Sequence, residues 1–484
     1  MNYLQKMNKG LVSKIGFFSG LVFFWMIFFL DEISGLSRSG QITLCVFVLM
    51  GIWWATEALP LPITSLLPLV LFPLFGVAEI GVISKEFMNK VQFLFAGGFM
   101  IAIAMQKWNL HRRVALTILQ YSDLSGKKIV ASFMGISALL SMWVMNTSTT
   151  IMLLPIAVSV CYVICDTVKG ISEKERTNLQ VCVLLGIAYS SSIGGISTPI
   201  GTGPNGFLIQ FLAKENIDIG FTDWFLIGLP VSICLLPILW VILTYFLFPL
   251  RFEANEPAKK PIHNMLKQLG PMSYEEKIVG MIFFLTALCW IFRKMINQLP
   301  NFAGLEDAVI AMIGGLSLFF FRSKDGKSSL LEWEDLETKF PWGLIFLFGG
   351  GMALAYAVTS TGLAEWLANL IPLGLGLFVL LALLITLIVF LTELTSNIAT
   401  TMTFIPIIYA ISIKLGLNPL ILMVPLTISA SCAFMLPVAT PPNSIVFASN
   451  LVSIQSMVKA GFFLNLSAVA ILIGFGYFYI PLMF

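Results

Sequence analysis

The chain has 484 residues, of which 58% are hydrophobic and 11% charged, with a formal net charge of +3. Soluble domains carry about 25% charged residues, so this composition excludes an ordinary soluble domain and leaves a polytopic membrane protein. Apolar runs of about 20 residues recur along the whole length, the mark of transmembrane helices; membrane lipid is an expected partner and nucleic acid is not.

The first run, Ile15 to Leu30, follows Lys6, Lys9 and Lys14 and could be mistaken for a secretory leader. Asp31 and Glu32 come next, rather than a small-residue cleavage pattern, and many runs follow, so it reads as a retained first span. Trp53 and Trp54 open the segment WWATEALP and read as lipid-facing or interfacial aromatics. Glu57 in that segment, and Glu393 further on, are acids inside apolar sequence. Such acids are functional suspects, although a structural carboxylate capping neighbouring helix ends explains each as well.

FLFAGG at 93–98 precedes a short amphipathic stretch, Leu110–Tyr121. Then SMWVMNTSTT at 141–150 places five small polar residues, Asn146 to Thr150, between the apolar arms Ile129–Met145 and Ser148–Cys165. Each arm is short for a span. A re-entrant hairpin that dips to mid-membrane and returns is expected, rather than one kinked helix, because irregular backbone survives there only when buried or lining a cavity. GTGPNG at 201–206 breaks the next span. Arg251–Lys277 is the longest polar connection and reads as a linker with one short surface helix, and Arg322–Lys339 as a solvated loop.

The order then returns. FLFGGG at 346–351 matches FLFAGG, followed by a second amphipathic stretch, Thr359–Leu370. SNIATTMTFIP at 396–406 matches MNTSTTIMLLP at 145–155, so that Asn146, Thr149, Thr150 and Pro155 meet Asn397, Thr400, Thr401 and Pro406 without a gap. ATPPNS at 439–444 matches GTGPNG. Three matches in one order make two homologous halves, about 40–250 and 275–484. The expected fold is all-α, with about 11 transmembrane helices plus two re-entrant hairpins. With an inside N-terminus, 21 of the 28 Lys and Arg fall inside and seven outside, which supports N-inside and C-outside in the cytoplasmic membrane. An odd span count turns the halves opposite ways, giving an inverted-topology repeat.

Corresponding interruptions of such a repeat meet near the midplane. Here they offer amides (Asn146, Asn397, Asn205, Asn443), hydroxyls (Thr147, Ser148, Ser396, Thr202, Thr440) and backbone N–H groups freed where Gly201, Gly203, Pro204, Pro441 and Pro442 break helices. Helix N-termini favour anions, and a small carboxylate is the natural ligand. No Lys or Arg is expected at the midplane, so either a bound cation or obligatory exchange must balance the charge. The seven cysteines form no CxxC pair and read as small buried hydrophobes. Two histidines give no metal or catalytic cluster, no cofactor is expected, and no phosphate-binding loop is present. An intramembrane enzyme lacks its catalytic constellation, and a channel would lack saturable counterflow.

The paired Asn motifs and paired (G/A)TxPN loops resemble the divalent anion:sodium symporter family of di- and tricarboxylate transporters across almost the whole chain. The resemblance implies an elevator-type homodimer carrying C4 dicarboxylates, 2-oxoglutarate or citrate. It implies first scaffold and transport parts at 1–110 and 111–250, a cytoplasmic linker at 251–277, and second parts at 278–358 and 359–484. By similarity, Asn146, Thr147, Ser396, Asn397, Thr202, Gly203, Thr440 and Pro441 contact substrate. A first sodium site would draw on Ser141, the Met145 position, Asn146 and Gly201, and a second on Thr392, Thr395, Asn397 and Ala439. The family's hairpin motif is Ser-Asn-Thr in both halves; here it reads Met145-Asn146-Thr147 and Ser396-Asn397-Ile398. Methionine supplies no hard oxygen ligand, which points to the sodium-independent exchanger branch, with sodium-coupled symport as the alternative.

Overall fold

The computed structural model describes residues 3–484 except 32, 122–124, 168–170, 253–259, 371–373 and 375. Among these the regular structure is helical, joined by turns and loops, apart from one isolated bridge between Arg322 and Ser329. A helix satisfies its own backbone, which hydrocarbon surroundings demand.

In chain order the helices are α1 Tyr3–Phe28, α2 Arg38–Thr56, α3 Leu61–Thr64, α4 Leu67–Leu74, α5 Ile80–Lys85, α6 Lys90–Lys107, α7 Leu110–Tyr121, α8 Gly126–Ser141, α9 Asn146–Thr167, α10 Glu173–Ile196, α11 Gly203–Lys214 and α12 Phe221–Val241. They continue with α13 Lys260–Leu269, α14 Tyr274–Ile296, α15 Asp307–Phe320, α16 Trp333–Lys339, α17 Trp342–Ser360, α18 Leu363–Asn369, α19 Leu377–Leu391, α20 Asn397–Lys414, α21 Leu420–Ala430, α22 Pro441–Ala448, α23 Ile454–Gly474 and α24 Ile480–Met483. Both α12 and α23 run on into a π-helical turn, Ile242–Leu247 and Phe475–Tyr479.

Ten helical stretches among the described residues are long and apolar enough to cross a membrane. Two of them, Asn146–Asp166 and Asn397–Lys414, begin at the Asn motifs. Leu61–Leu74, Asp307–Phe320 and Leu420–Ala430 are apolar but shorter. The sequence count of 11 joins such short or interrupted helices into full spans and leaves the hairpin arms out; helix length alone ranks them otherwise.

The polar helix starts are conventionally capped. Ser172 and Glu175 open α10, and Ser273 and Glu276 open α14, each as a reciprocal capping box. The centre of the molecule is α10: every residue from Val181 to Gly201 is buried. It packs against α8, α9, α12 and α22. Close approach needs glycine here, because a Cβ on Gly194 would overlap the backbone of Ala138 in α8, and one on Gly228 of α12 would overlap Ile196.

Four expectations are corrected. Trp53 and Trp54 are core residues, 5% and 1% exposed. Trp53 stacks on Phe17 of α1 and donates to its carbonyl, while Trp54 donates to Ser65; each indole N–H finds a partner inside, so neither ring needs the interface. The Arg322–Lys339 segment is not all loop, since its last seven residues form α16, started by the Glu332–Asp335 capping box. The second amphipathic helix is only Leu363–Asn369, because Thr359 and Ser360 finish α17. Of the cysteines, Cys234 is exposed and Cys289 half-buried, and the other five are buried. The linker helix is α13; residues 253–259 of the linker lie outside those described.

Candidate functional site

Both Asn motifs lie at helix starts. α8 stops at Ser141 and α9 begins at Asn146; α19 stops at Leu391 and α20 begins at Asn397. One continuous kinked helix is therefore ruled out. The first turns are built alike: Thr150 Oγ1 donates to the Asn146 carbonyl at 2.9 Å, and Thr401 Oγ1 to the Asn397 carbonyl at 2.8 Å. Thr147 and Ser396 are half-buried, and the Ser396 side chain makes no capping bond to its helix. Met145 is partly exposed, with 37% of its surface accessible.

The PN loops break the next helices in each half. α10 gives way to α11 across 197–202, and α21 to α22 across 431–440. Thr202 and Thr440 are the extended N-cap residues; Thr440 Oγ1 accepts from the Asn443 N–H, whereas Thr202 makes no such bond. The following asparagines close each break. Asn205 Nδ2 donates to the carbonyls of Gly195, Ile196 and Thr198, and Asn443 Nδ2 to those of Ala433 and Leu436. Carbonyls orphaned by the break thus find a donor without water. Gly201, Ala439 and Thr440 are buried, and Pro441 is exposed at the head of α22.

The halves cross over at these breaks. α9 of the first half packs on α22 of the second, and α20 of the second packs on α11 of the first. A Cβ on Gly203 would strike the side chain of Ile398. The helix starts at Asn146, Gly203 and Asn397 are thereby gathered into one region, with Gly195 against the Asn146 amide and Gly203 against Ile398, and α22 packs on α9 beside them.

The oxygen-bearing side chains behave differently in the two halves. Thr392 Oγ1 donates to Asn397 Oδ1 at 2.8 Å and lies 2.9 Å from the Ala430 carbonyl, while Thr395 and Thr400 hydroxyls meet at 2.6 Å. Ser141 Oγ, Asn146 Oδ1 and Thr149 Oγ1 are buried with no hydrogen-bond partner among the described residues. A Cβ on Gly195 would press on Asn146 Oδ1 and the Gly201 carbonyl oxygen, each at 2.9 Å, and on Asn146 Nδ2 at 3.1 Å, so the glycine lets the Asn146 amide and the loop backbone come close.

Glu393, 4% exposed, is a hub of the second half. Its Oε1 accepts the N–H groups of Phe434 and Met435 and Asn465 Nδ2, all at 2.7–2.8 Å, and its Oε2 accepts the N–H of Leu436 at 3.0 Å. Glu57 is exposed at the left-handed C-cap of α2, outside the gathered region. Gly195 and Asn465 are the site-region residues that the sequence reading passed over. Gly195 carries a motif signal, lying in the GGISTPIG run just before the loop; Asn465 sits singly in an apolar helix and carries none.

A family profile described as "Sodium:sulfate symporter transmembrane region" matches residues 12–484. Among similar curated proteins, the sodium-dependent dicarboxylate transporter SdcS of Staphylococcus saprophyticus is 36% identical over 474 residues, covering 96% of this chain and 91% of the relative. SdcS of Staphylococcus aureus strain USA300 is 37% identical over 496 residues, covering 100% and 95%. The Alcanivorax borkumensis YdaH transporter has a similar fold at TM-score 0.57 and 15% identity, over 82% of this chain and 86% of that one. Neisseria gonorrhoeae MtrF, described among antimetabolite efflux pumps, aligns at TM-score 0.53 and 13% identity, over 93% and 97%. These last two speak for the fold alone. The chain belongs to the family of that symporter profile, the divalent anion:sodium symporters, and is a multi-pass membrane transporter rather than an enzyme.

Proposed function

We propose that the chain is a sodium-coupled symporter of small di- and tricarboxylates, of the size of succinate, malate, 2-oxoglutarate or citrate. The charge of the gathered region carries this reading. Segments 141–150, 195–206, 391–400 and 431–444 contain no Lys, Arg or His, and Glu393 is their one acid. Helix N-termini with amide and hydroxyl donors attract a carboxylate, but partial charges do not balance a dianion held near Glu393 in low dielectric. A mobile cation does, and it travels as a second substrate.

The donor set suits sodium, which prefers oxygen like other hard cations. Ser141, Asn146 and Gly201 would hold one ion, and Thr392, Thr395, Asn397 and Ala439 another. The carboxylates would meet Asn146, Thr147, Ser396, Asn397, Thr202, Gly203, Thr440 and Pro441. The case for exchange rested on Met145 as a missing ligand. Ser141, Asn146 and Gly201 still supply hard oxygens without it, and the names of the two SdcS relatives favour coupling.

Within this reading the N-terminus is inside, the C-terminus outside and the halves inverted. The parts at 111–250 and 359–484 move past the scaffold as an elevator, and the protein works as a homodimer. The test is uptake of labelled succinate into proteoliposomes with no internal dicarboxylate. An inward sodium gradient should drive accumulation. Uptake that ignores sodium and requires internal dicarboxylate returns the reading to exchange.

A further inference from the structure

The turn from α11 to α12, residues 214–223, is gripped by several other helices. Lys214 donates to Glu86, the C-cap of α5, at 2.7 Å, and its Nζ lies 4.6 Å from the centre of the Tyr356 ring in α17. The Phe221 N–H donates at 2.7 Å to the buried carboxylate of Asp307 at the head of α15, and Arg293 of α14 pairs with the same carboxylate at 3.1 Å. Thr222 Oγ1 lies 3.1 Å from the Trp290 carbonyl and 3.3 Å from that of Ile291, and Lys294 donates to Asp223 at 2.6 Å. A Cβ on Gly220 would overlap the Arg293 guanidinium, so glycine admits the turn backbone to this cluster. The Phe221 ring stacks on Trp290 with centroids 4.6 Å apart, and Trp143, three residues before Asn146, stacks on both. The turn belongs to the first transport part proposed above. Glu86, Trp290, Arg293, Lys294, Asp307 and Tyr356 belong to the scaffold parts.

The second half has no such grip. α12 and α23 each run for 21 residues and each leads into a π-helical turn, which pairs the α11–α12 turn with the α22–α23 turn. Residues 449–456 contain no Asp, Glu, Lys or Arg. Their side-chain hydrogen bonds among the described residues are local, joining Ser449 to Val446 and Leu451, and Ser453 to Ser456. In an inverted repeat the two turns lie at opposite faces. One face is thus held by charge, and the other has no charge in its turn to hold with.

We propose that residues 214–223 form a one-sided clasp, which holds the first transport part against the scaffold in the position seen here and biases the empty carrier toward it. Movement must break the Phe221–Asp307, Lys214–Glu86 and Asp223–Lys294 contacts, and the uncharged turn at the other face offers the opposite end state no equal hold. Hydrogen bonds to charged groups are the stronger kind, so Asp307 and the partly buried Lys214–Glu86 pair carry the clasp. The exposed Asp218, 3.9 Å from Lys90 and 4.0 Å from Arg293, adds little. The proposal rests on the elevator reading above and adds which end state is favoured and the residues that favour it.

The experiment places Thr222→Cys with Ile291→Cys in the full-length protein without native cysteines, reconstituted in proteoliposomes. Cross-linking is timed with a membrane-permeant oxidant in the absence of sodium and dicarboxylate, and sodium-driven uptake of labelled succinate is then measured. The reduced pair should transport, the oxidised pair should lose most of its uptake, and reductant should restore it. Adding Glu86→Gln should slow cross-linking by roughly 2- to 5-fold, the worth of an ion pair near a surface. Exchanging the charges, with Glu86→Lys and Lys214→Glu together, should recover the rate, which a merely structural role for Glu86 would not do. The proposal is overturned by an oxidised pair that transports at the reduced rate, by a pair that does not cross-link, or by a Glu86→Gln protein that cross-links as fast as its parent. Wild type without sodium-driven uptake sinks the transport reading instead, and the Glu86→Gln cross-linking rate then still decides the clasp.

Discussion

Glu393 accepts hydrogen bonds from three consecutive backbone N–H groups and from Asn465. With no Lys, Arg or His in the gathered segments, it acts as a clamp on the 434–436 backbone, which leads directly into Ala439 and Thr440. Glu393→Gln places an amide donor against a backbone donor. Hydrogen bonds to charged groups contribute about 1.5–3 kcal/mol each, so the variant should melt several degrees lower and bind substrate more weakly. A melting curve and a substrate affinity both equal to wild type would remove the clamp. Met145 makes the opposite prediction. Its side chain is exposed, so Met145→Ser should leave the sodium dependence of uptake essentially unchanged. A marked fall in the sodium requirement would mean that this side chain had impaired the site after all. At this scale the sequence displayed the Asn and Thr residues openly, as polar letters in apolar runs. How far Met145 is exposed depends on how the segment between α8 and α9 packs, and no local pattern encodes that.

Helix breaks are the elements on which the gathered region depends. Asn205 ties three carbonyls across the first break and Asn443 ties two across the second. Asn205→Ala should therefore destabilise more than Asn443→Ala, by about 1–3 kcal/mol for each buried acceptor group left unpaired. Equal losses, or a larger loss at Asn443, would contradict this assignment. Away from the membrane-spanning helices, α16 is pinned through Asp335, which accepts from Lys107, Lys339 and the Glu332 N–H. Burial pushes its carboxyl up, but these donors outweigh burial and hold it below the ordinary carboxylate value. A carboxyl depressed in the folded state stabilises above its unfolded pKa, near 3.8, and loses that contribution as pH falls through the folded value. Asp335→Asn should lower the melting temperature at pH 7 and matter progressively less below about pH 4. The repeat made the breaks legible, because matching Pro, Gly and Asn letters recur in order. α16 was not legible: five of its seven residues are polar, and its helix comes from a capping box and from ion pairs with a residue more than two hundred positions away.

For the whole molecule, the sequence conveyed class and element order, since hydrophobic runs and a repeat are one-dimensional signals. It did not convey the crossing of α9 with α22 and α11 with α20, nor the burial of Trp53 and Trp54, which only three-dimensional packing decides. The orientation proposed from Lys and Arg placement predicts that a single cysteine at Lys414, in a background without native cysteines, labels from outside in intact cells. One at Lys339 should label only after permeabilisation, and the reverse pattern would invert the topology. The central claim is that both halves contribute to one site. It is tested most directly by sodium-driven succinate uptake in proteoliposomes carrying Asn146→Ala or Asn397→Ala at matched protein content. Each single variant, folded by its melting curve, should lose most of its transport. Either variant transporting at the wild-type rate would contradict the account.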